Sequence, residues 1–515
     1  MERIKYNNFN SFIYDLSCKY SKNIAFEYTY NNVRISKTFK EFYEDIIGVS
    51  SYFIKNNITR KNIGLLGKNS YNWIVYYFGI IISGNVCVVL DSNWDRKVIK
   101  QKIIETDCFA LVSSYDNINK DNLLYFNLEK LLSVDKKDND FYINNDNFSV
   151  IYFTSGTTGS NKAVMLSQKN IISNWYTASK RISGKKKSVL LLPLNHTYSM
   201  VAGVLCAFCN GATIYINTNI RNFANDLKNE KPDALALVPV FIESMINSII
   251  CEIKNSHKYF FYQIACFISK IMLMLGIDIR RKLFSKIINS LGGNLEYVVS
   301  GGAPIGVETA KQLSDWGIEV LNGYGITECS PIVATNDIKN NIYGSVGKPL
   351  DNVKIKLDEK THEILIKSEC IMKGYYNDIE STKSVIIDGW FHSGDIGKLD
   401  NDGFLTITGR LKNLIILSNG ENVSPEPIEN LIKQNKFVNE VLVYEKKGLI
   451  HAEIYPEMRY IGNLNSNEIK LLFEKIIFKT INCKLPINSR INSLSIRSNE
   501  FNKNSLNKII RNKGV

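Results

Sequence analysis

Short apolar runs alternate with helical patterns through roughly the first 300 residues of the chain. The apolar runs are "NIGLLG", "VCVVLD", "CFALVSS", "FSVIYF", "SVLLLPL", "ATIYIN", "ALALVP" and "LEYVVSGG". Helical patterns such as "FKEFYEDIIGVSSYFIKN" and "SQKNIISNWYTASKRI" lie between them, and Ser167 is the predicted N-cap of the second. This alternation predicts an α/β layer structure. Residues 116–147 are polar and are predicted to form a connecting surface segment.

The pattern changes after about residue 340. Short strands separated by Gly and Asp, in "EILIK", "GFLTITGR" and "LIILSNG", predict a β-rich module. The last hundred residues predict a small α+β unit, with a hairpin in "NEVLVYEKKGLIHAEIYP" and a helix in "NEIKLLFEKIIFKTI". A chain of 515 residues is too long for one hydrophobic core. The predicted fold class is therefore α/β, with a large N-terminal domain of layered α/β subdomains plus a β-rich module, and a small α+β C-terminal domain.

The formal net charge of +13 is compatible with nucleic acid, a membrane surface or anionic substrates. Because the lysines are scattered, we attribute the surplus to a compositional preference of the source and predict no nucleic-acid partner. The ten cysteines have no regular spacing and are interpreted as reduced thiols of a cytoplasmic protein. Cys206 and Cys209 form a C-x-x-C without the partners of a zinc or redox site, so burial on an apolar helix is the preferred interpretation.

Two apolar segments, 74–90 and 259–277, raise the question of a membrane span. Residues 83–85 interrupt the first, which predicts a buried helix, a turn and a buried strand. The second lies within residues 252–290, where seven Lys and Arg stand against two acidic residues, a surplus of five. Such a helix would rest on a membrane surface or pack on its own domain. We favour packing, and expect at most peripheral membrane contact and no signal peptide.

The stretch "YFTSGTTGSNKAVMLS" (152–167) is rich in Gly, Ser and Thr directly after a predicted strand. Its Gly156, Gly159, Lys162 and Ala163 do not fit the Walker sequence, in which Ser or Thr follows the lysine. The composition still suits an anion, because glycines expose backbone N–H groups, hydroxyls add donors and a lysine adds charge. A mobile surface loop has a similar composition, so the choice depends on the rest of the chain.

Five more motifs follow in order: "SGGAP" (300–304), "NGYGITECSP" (322–331), "GWFHSGDIG" (389–397), "GRLKNLIILSNGENVSPEPIE" (409–429) and "NKIIR" (507–511). Each motif alone is compatible with a turn or a solvated loop. In this order and at these separations, they resemble the adenylate-forming superfamily of acyl-CoA synthetases, adenylation domains and luciferases over nearly the whole chain. The layout, with an extended helical region 245–290 before "GGAP", looks closest to long-chain fatty-acid CoA ligases.

The resemblance implies an acid–thiol ligase that uses ATP, Mg²⁺ and coenzyme A. Such enzymes join a carboxylic acid to ATP, release pyrophosphate and pass the acyl group to a thiol. The implied catalytic residues are Lys508, Thr327, Glu328, His196 and Arg410, with Glu328 as the Mg²⁺ ligand. The implied nucleotide-binding residues are Thr154, Ser155, Gly156, Thr157, Thr158, Gly159, Lys162, Gly301, Gly302, Ala303, Pro304, Tyr324, Gly325, Asp395 and Arg410.

The superfamily also implies a mobile C-terminal domain that turns about a hinge, here near residues 411–413. One orientation would bring Lys508 to the site, and the other would bring the loop 418–425. We therefore divide the chain into an N-terminal domain, 1–410, and a mobile C-terminal domain, 411–515.

Three residues depart from the superfamily pattern. Ala163 follows the loop lysine where Gly is usual, and Asn502 and Asn507 replace the Pro and Gly of the terminal motif. Asn adopts left-handed backbone less freely than Gly, so the change bears directly on Lys508. The alternative to an active enzyme is a catalytically degenerate homologue that binds adenylate without turnover, and the intact remaining motifs favour the enzyme.

The segment "LLPLNHTYSM" (191–200) resembles the acyl-binding segment of CoA ligases, with His196 at the usual histidine position. A satisfied core histidine is the alternative. No Asp occurs in residues 191–204 to meet the ammonium of an amino acid, and "SMVAGVLCAF" suits an acyl chain or aryl ring. The predicted substrate is therefore a fatty or aryl acid, and free coenzyme A is the predicted acceptor. The alternative acceptor is a separate acyl carrier protein, whose acidic surface would suit the basic chain.

Overall fold

The computed structural model describes residues 6–115, 123–133, 147–154, 161–181, 186–417, 422–503 and 509–511. Up to residue 127 it contains α1 (Phe9–Lys19), α2 (Phe39–Lys55), α3 (Tyr71–Ile82), α4 (Arg96–Glu105), β1 (Ile24–Tyr30), β2 (Val33–Thr38), β3 (Asn62–Leu66), β4 (Val86–Leu90), β5 (Cys108–Ser113) and β6 (Leu124–Asn127). Residues 150–335 contain α5 (Gln168–Ser179), α6 (Cys206–Phe208), α7 (Phe223–Glu230), α8 (Pro239–Asn255), α9 (Tyr259–Met274), α10 (Arg280–Leu283), α11 (Ser285–Ser290), α12 (Val307–Asp315), β7 (Val150–Phe153), β8 (Ala163–Leu166), β9 (Lys187–Leu190), β10 (Thr213–Ile216), β11 (Ala234–Leu237), β12 (Tyr297–Ser300), β13 (Glu319–Gly325) and β14 (Ile332–Thr335).

The rest of the chain is richer in strands. Residues 348–410 contain α13 (Ile379–Val385), β15 (Lys348–Pro349), β16 (Val353–Leu357), β17 (Glu363–Ser368), β18 (Gly374–Tyr375), β19 (Ile386–Ile387), β20 (Trp390–Leu399) and β21 (Leu405–Arg410). The last part contains α14 (Pro425–Lys433), α15 (Met458–Ile461), α16 (Ser466–Glu474), β22 (Ile415–Ile416), β23 (Asn422–Val423), β24 (Val438–Lys446), β25 (Leu449–Pro456) and β26 (Ser493–Ile496).

Two large sheets and one smaller sheet form the part of the chain before residue 411. The nine-stranded sheet has the order β15-β14-β13-β12-β11-β9-β10-β1-β2, and the seven-stranded sheet has the order β18-β8-β7-β4-β3-β5-β6. The third sheet has the order β16-β17-β20-β19, with β21 paired to β20. Central strands such as β3, β4 and β12 pair in parallel with their neighbours and are almost wholly apolar, as strands covered on both faces are.

Helices α1, α2, α3 and α5 share one hydrophobic cluster with strands of both large sheets. Almost every side chain of α3 is buried, because its sequence "YNWIVYYFGIII" has no polar face. Gly84, with φ of +77°, then turns the chain into the buried strand β4. The prediction of a helix, a turn and a strand for 74–90 is confirmed.

Other sequence predictions are confirmed, and one is corrected in part. All eight predicted strands of the first 300 residues occur, and Ser167 caps α5 by accepting from Asn170 N at 3.1 Å. Within the connecting segment assigned to 116–147, residues 124–127 form a strand, because β6 pairs in parallel with β5, and residues 116–122 and 134–146 lie outside the described residues. The four residues of β6 are at most half-buried, so backbone pairing at the sheet edge forms this strand without an apolar pattern that would predict it.

The expectation that the helix in 259–277 packs on its own domain holds for one face only. Only Ser269 of α9 is buried, whereas Phe267 is 67% and Met274 is 86% exposed. Tyr262, on the other face, packs against the hydrophobic cluster around α8, α11 and α12. Within the described ranges, no helix combines the length and the apolar character that crossing a bilayer requires.

Residues after 414 have a separate hydrophobic cluster. β24 and β25 form the predicted hairpin, and α16 with the π-helical segment Lys475–Ile481 that continues it forms the predicted helix. The α/β fold with a large N-terminal and a small C-terminal unit is therefore confirmed, whereas the boundary at residue 410 and the mobility stay predictions. All ten cysteines are free thiols, and Cys206 lies buried on α6.

Four charged side chains join the β1–β2 hairpin to β9 and α7. Arg34 and Lys187 each contact both Glu27 and Glu230 at 2.7 Å. Burial alone would raise the pKa of Glu27, but Lys187 and Arg34 outweigh it and lower that pKa. Glu27 therefore contributes stability above its unfolded-state pKa, and this contribution is lost as the pH falls through the folded-state pKa.

We expect Glu230→Gln to lower the free energy of unfolding by about 2 kcal/mol at neutral pH, because two cations would then share one carboxylate. Urea and thermal unfolding midpoints measure this change. Glu369→Gln is the control, since it removes only an exposed contact with Lys169 and should cost less than about 0.5 kcal/mol. Equal losses in the two variants would contradict the expectation.

Candidate functional site

Three segments with predicted site residues follow the carboxyl ends of strands in the nine-stranded sheet. Residues 301–304 follow β12, and residues 323–328 begin at the carboxyl end of β13, where Asn322 pairs with Ser300. His196 follows β9 in the same sheet. Carboxyl ends of parallel strands meet at one edge, where open α/β sheets commonly bind their ligands. The fold therefore brings these three predicted segments to one edge.

The antiparallel hairpin of β7 and β8 carries the Gly/Ser/Thr-rich loop. Thr154 N donates to Lys162 O at 3.0 Å, and Lys162 N donates to Thr154 Oγ1 at 3.3 Å. These bonds hold the two ends of the loop side by side. The predicted residues between them lie outside the described residues: Ser155, Gly156, Thr157, Thr158 and Gly159.

Lys162, Tyr375 and Glu328 form a connected group. The Lys162 Nζ lies 4.5 Å from the centroid of the Tyr375 ring, and the Tyr375 hydroxyl donates to Glu328 Oε1 at 2.9 Å. Tyr375 reaches this position because β18 pairs with β8, the strand that follows Lys162. A cation, a phenol and a carboxylate that are far apart in the sequence therefore meet here.

Tyr324, Asp395 and Arg410 form a second group. The Tyr324 hydroxyl donates to Asp395 Oδ2 at 2.7 Å, and Arg410 Nε lies 2.7 Å from Asp395 Oδ1. Asp395 and Arg410 are direct partners across β20 and β21, so the strand register sets their ion pair. The Asp395 side chain is only 3% exposed, whereas that of Arg410 is 42% exposed. The carboxylate is thus held inside the site, and the guanidinium keeps one side toward solvent.

The two groups interact electrostatically. Burial raises the pKa of Glu328, and the Asp395 charge raises it further, against the Tyr375 hydrogen bond and the Arg410 charge, which lower it. Burial and Asp395 also raise the pKa of Tyr324, so its hydroxyl stays protonated as a donor. Because Tyr324 and Glu328 lie on the same short segment, at the end of β13 and in the 3₁₀ turn after it, the two groups belong to one site.

A buried amide holds the turn that carries Thr327 and Glu328. These residues form one 3₁₀ turn with Cys329. Asn174 on α5 donates to Cys329 O at 3.2 Å and to Ile332 O at 2.7 Å, and it accepts from Ile332 N at 3.1 Å. One amide can make all three bonds at once. The position of the turn therefore depends on α5.

A carboxylate on β17 holds the bend before Asp395. Glu363 accepts from Gly394 N at 2.8 Å, and its other oxygen lies 3.1 Å from His392 Nδ1. Glu363 is buried, and these contacts fix the backbone immediately before Asp395. The motif "GWFHSGD" thus depends on a residue outside it.

Two predicted site glycines have very close neighbours. A Cβ at Gly301 would lie 2.8 Å from the Tyr198 ring, and a Cβ at Gly325 would lie 2.5 Å from Pro331 O. Tyr198 is itself fixed, because its hydroxyl donates to Val299 O at 2.9 Å. The other residues of the segment 301–304 are half-buried or exposed: Gly302, Ala303 and Pro304.

His196 and Thr154 line the same small cavity. Its volume is about 20 Å³, close to the space that one water molecule needs. Asp91, Trp94 and Asn195 are also part of its wall. The structure therefore places His196 beside the first residue of the Gly/Ser/Thr-rich loop.

Lys508 lies outside the described residues, but the chain is anchored on both sides of it. Lys503 contacts Glu440, and Arg511 contacts Glu429. Burial raises the pKa of Glu429, and the Arg511 charge lowers it. These two ion pairs tie the terminal segment to the small C-terminal unit.

Sequence reasoning missed four residues that position the site: Tyr375, Asn174, Glu363 and Tyr198. Their partners lie between 29 and 158 positions away in the sequence. Hydrogen bonds over such separations depend on tertiary structure and leave no local pattern. Only Tyr375 offered a signal, because it follows Gly374 in "KGYYND", where a glycine and two aromatic residues interrupt the strand pattern.

Most of the chain matches known protein families. Residues 18–376 match the family described as AMP-binding enzyme, and residues 412–513 match the AMP-binding enzyme C-terminal domain. The long-chain-fatty-acid–CoA ligase FadD15 of Mycobacterium bovis is 30% identical over 325 residues, 59% of this chain and 54% of that protein. The long-chain-fatty-acid–CoA ligase 5 of Rattus norvegicus is 33% identical over 58% of this chain and 47% of its own length. The chain thus spans about half the length of these relatives.

A third relative and the solved structures extend this comparison. The chloroplastic long-chain-fatty-acid–[acyl-carrier-protein] ligase AEE15 of Arabidopsis thaliana is 26% identical over 66% of this chain and 55% of its own. The O-succinylbenzoate coenzyme A synthetase of Bacillus subtilis in complex with AMP superimposes with a TM-score of 0.77 at 18% identity, over 97% of this chain and 96% of that one. Its complex with ATP and magnesium ion gives the same TM-score, over 97% and 98% of the two chains. At this identity the likeness shows a common fold.

We expect Asn174→Leu to lower the free energy of unfolding by about 3 kcal/mol, because three buried backbone groups of the 327–332 turn would lose their partner. Urea unfolding measures the change. Thr177→Val is the matched control on α5, since the Thr177 hydroxyl donates only to Ser173 O within the helix and should cost about 1 kcal/mol or less. A similar loss in both variants would show that Asn174 does not hold the turn.

Proposed function

The chain belongs to the AMP-binding enzyme family, and we propose that it joins a carboxylic acid to ATP and then transfers the acyl group to the thiol of coenzyme A. One observation carries this proposal: the segment 323–328 joins two groups of contacts, Lys162–Tyr375–Glu328 and Tyr324–Asp395–Arg410, and Thr154 is bonded to Lys162 at one end. Donors for phosphate at one end and a buried carboxylate at the other would suit a nucleoside triphosphate. We place the enzyme in the cytoplasm, where ten free cysteines stay reduced.

The nucleoside end of ATP would meet the second group. Asp395 would accept from the ribose hydroxyls, while Tyr324 and the segment 301–304 would flank the adenine. Each oxygen of Asp395 already has one partner, Tyr324 or Arg410, and a carboxylate oxygen accepts two bonds. Capacity for a vicinal diol therefore remains.

Glu328 is the proposed Mg²⁺ ligand. Burial raises its pKa, and a divalent cation beside it would favour the ionised form. Among the described residues, no group of three His, Cys, Asp or Glu side chains could hold a metal ion. Phosphate oxygens would therefore complete the coordination, as is usual for Mg²⁺, and the bound ion would neutralise phosphate charge.

In the first step, a carboxylate oxygen of the acid would attack the α-phosphorus, and the bond to the oxygen of pyrophosphate would break. Lys162 and the loop donors, including Thr154 and the residues 155–159, would stabilise the leaving phosphates. Thr327 and Arg410 would bind the α-phosphate, and Lys508 would hold it beside the carboxylate. In the second step, the thiol would lose its proton, its sulfur would attack the acyl carbon, and AMP would leave.

The proposed substrate is a fatty or aryl acid. Support comes from relatives named as long-chain fatty-acid ligases and from the absence of Asp in residues 191–204. His196 lies beside Thr154 and so would separate the acyl group from the phosphates. A separate acyl carrier protein is the second candidate acceptor, favoured by the similarity to the acyl-carrier-protein ligase of Arabidopsis thaliana and by the net charge of +13.

We expect ATP and Mg²⁺ to release pyrophosphate only in the presence of a fatty or aryl acid. The assay would compare fatty, aryl and amino acids, with and without coenzyme A, and identify products by mass spectrometry. Acyl-CoA would support the main proposal, and acyl-adenylate that does not react with coenzyme A would favour a carrier protein. No pyrophosphate with any acid, together with calorimetric binding of ATP, would favour the degenerate homologue.

We expect Lys508→Ala to lower acid-dependent pyrophosphate release by at least about 100-fold, because the lysine would no longer hold the two anions together. Thioester formation from supplied acyl-adenylate should be nearly unchanged. Lys484→Ala, another lysine of the C-terminal unit, is the control and should retain both reactions. Pyrophosphate release at the wild-type rate by Lys508→Ala would show that Lys508 takes no part in adenylation.

A third test uses the pKa of Glu328. The Tyr375 hydrogen bond lowers this pKa, so Tyr375→Phe should raise it. Binding of Mg²⁺ needs the ionised carboxylate and is lost as the pH falls through the folded-state pKa. We therefore expect the acid limb of the MgATP KM profile to move to higher pH in Tyr375→Phe. Tyr376→Phe, which removes a hydroxyl that contacts Asp107 instead, should not move it. An unmoved limb in Tyr375→Phe would show that Glu328 does not hold the metal.

A further inference from the structure

One side of α9 presents a continuous apolar surface to solvent. Its residues recur at three- and four-residue spacing and therefore share one helix face. We call them the α9 stripe: Phe260, Ile264, Phe267, Ile268, Ile271 and Met274. Their exposed fractions run from 40% at Ile264 to 86% at Met274. Contiguous apolar patches of this kind on a folded protein mark a site of interaction.

The opposite face of α9 is fixed to the protein. The Tyr262 hydroxyl accepts from Trp316 Nε1 at 3.1 Å, and Lys270 Nζ lies 3.4 Å from Asp315 Oδ2 on α12. Ser269, next to Lys270 in the sequence, is buried. The helix cannot rotate its stripe inward without losing these contacts, so the stripe faces outward in the folded chain.

Exposed lysines flank the stripe along the chain. Residues 252–290 contain seven Lys and Arg against two acidic residues, a surplus of five. Lys258 precedes α9, and Lys282 and Lys286 follow it on α10 and α11, all three exposed. An apolar helix face with basic residues flanking it combines the two features that favour anionic lipid surfaces.

We propose that the α9 stripe and its flanking lysines dock the protein on the surface of an anionic phospholipid bilayer. A helix of 16 residues is about 24 Å long and would lie in the plane of the interface, with its apolar side chains at the acyl-chain boundary. The ammonium groups would then lie at the level of the lipid phosphates. This inference does not depend on the proposed catalytic activity.

A second copy of the chain is a weaker candidate for the stripe. A symmetric dimer through α9 would bring the flanking lysines of one copy close to those of the other. Like charges in such a contact are unfavourable, whereas an anionic bilayer neutralises them. The sign of the charge therefore selects the bilayer.

Vesicle flotation tests the proposal. We expect the full chain to float with vesicles of phosphatidylcholine and phosphatidylglycerol, and at least tenfold less with phosphatidylcholine alone or in 0.5 M salt. A variant with three substitutions in the α9 stripe should bind the anionic vesicles at least tenfold less: Phe267→Ser/Ile271→Ser/Met274→Ser. Lys258→Glu/Lys282→Glu/Lys286→Glu should remove the preference for anionic lipid.

The control carries three serines at exposed apolar residues on other elements, Ile104→Ser/Leu471→Ser/Ile487→Ser. It should bind vesicles as the wild type does, and all variants should keep the wild-type thermal midpoint. Hydrogen exchange of the wild type gives a second measurement, because vesicles should slow exchange at exposed backbone around 259–275 without any substitution.

Three outcomes would overturn the proposal: no flotation of the wild type, equal losses in the α9 and control variants, or unchanged exchange in 259–275. A wild-type dimer in analytical ultracentrifugation that becomes a monomer in the α9 variant, without vesicle binding, would assign the stripe to a second copy instead.

Discussion

The parallel pairing of β12 with β13 determines where the candidate site lies. Register places Ser300 beside Asn322, so the segments after them, 301–304 and 323–328, begin at the same level of the sheet. Neither strand could shift its register by one residue without turning its side chains to the other face of the sheet. The seven-stranded sheet adds Lys162, and the third sheet adds Asp395 and Arg410, so the site forms where all three sheets meet.

The charges of the site are held in position by pairing before any ligand binds. Asp395 is buried between the phenol of Tyr324 and the guanidinium of Arg410. Glu328 accepts from the Tyr375 hydroxyl, and the Lys162 ammonium lies over the Tyr375 ring. Buried charges without partners would be costly, and partners with fixed geometry lower the reorganisation needed when a polyanion arrives. Glu363 and Asn174 support these pairs from outside. Each holds a stretch of backbone that carries a charged residue of the site.

The sequence predicts the strands and the order of the motifs because both are local. Apolar runs ended by glycine-rich turns need no knowledge of the partner strand. What it does not predict depends on contacts between distant residues: Tyr375 reaches Glu328 through the pairing of β18 with β8. The β1–β2 hairpin is not among the predicted elements although its turn signal is local, since Asn31 and Asn32 both adopt positive φ in a two-residue turn. For α9, helical periodicity indicates an apolar face but not whether the fold provides a surface to cover it.

Arg410 is the last residue of β21 and the ion-pair partner of Asp395, and the 3₁₀ turn Leu411–Asn413 follows directly. If the chain turns at 411–413, as the resemblance implies, the stationary side of that pivot is itself a wall of the site. The distance from the pivot to Asp395 would then be constant throughout the movement. Between the two steps, only the face that the C-terminal unit turns toward the site would change. The nucleotide would therefore not need to be released and bound again.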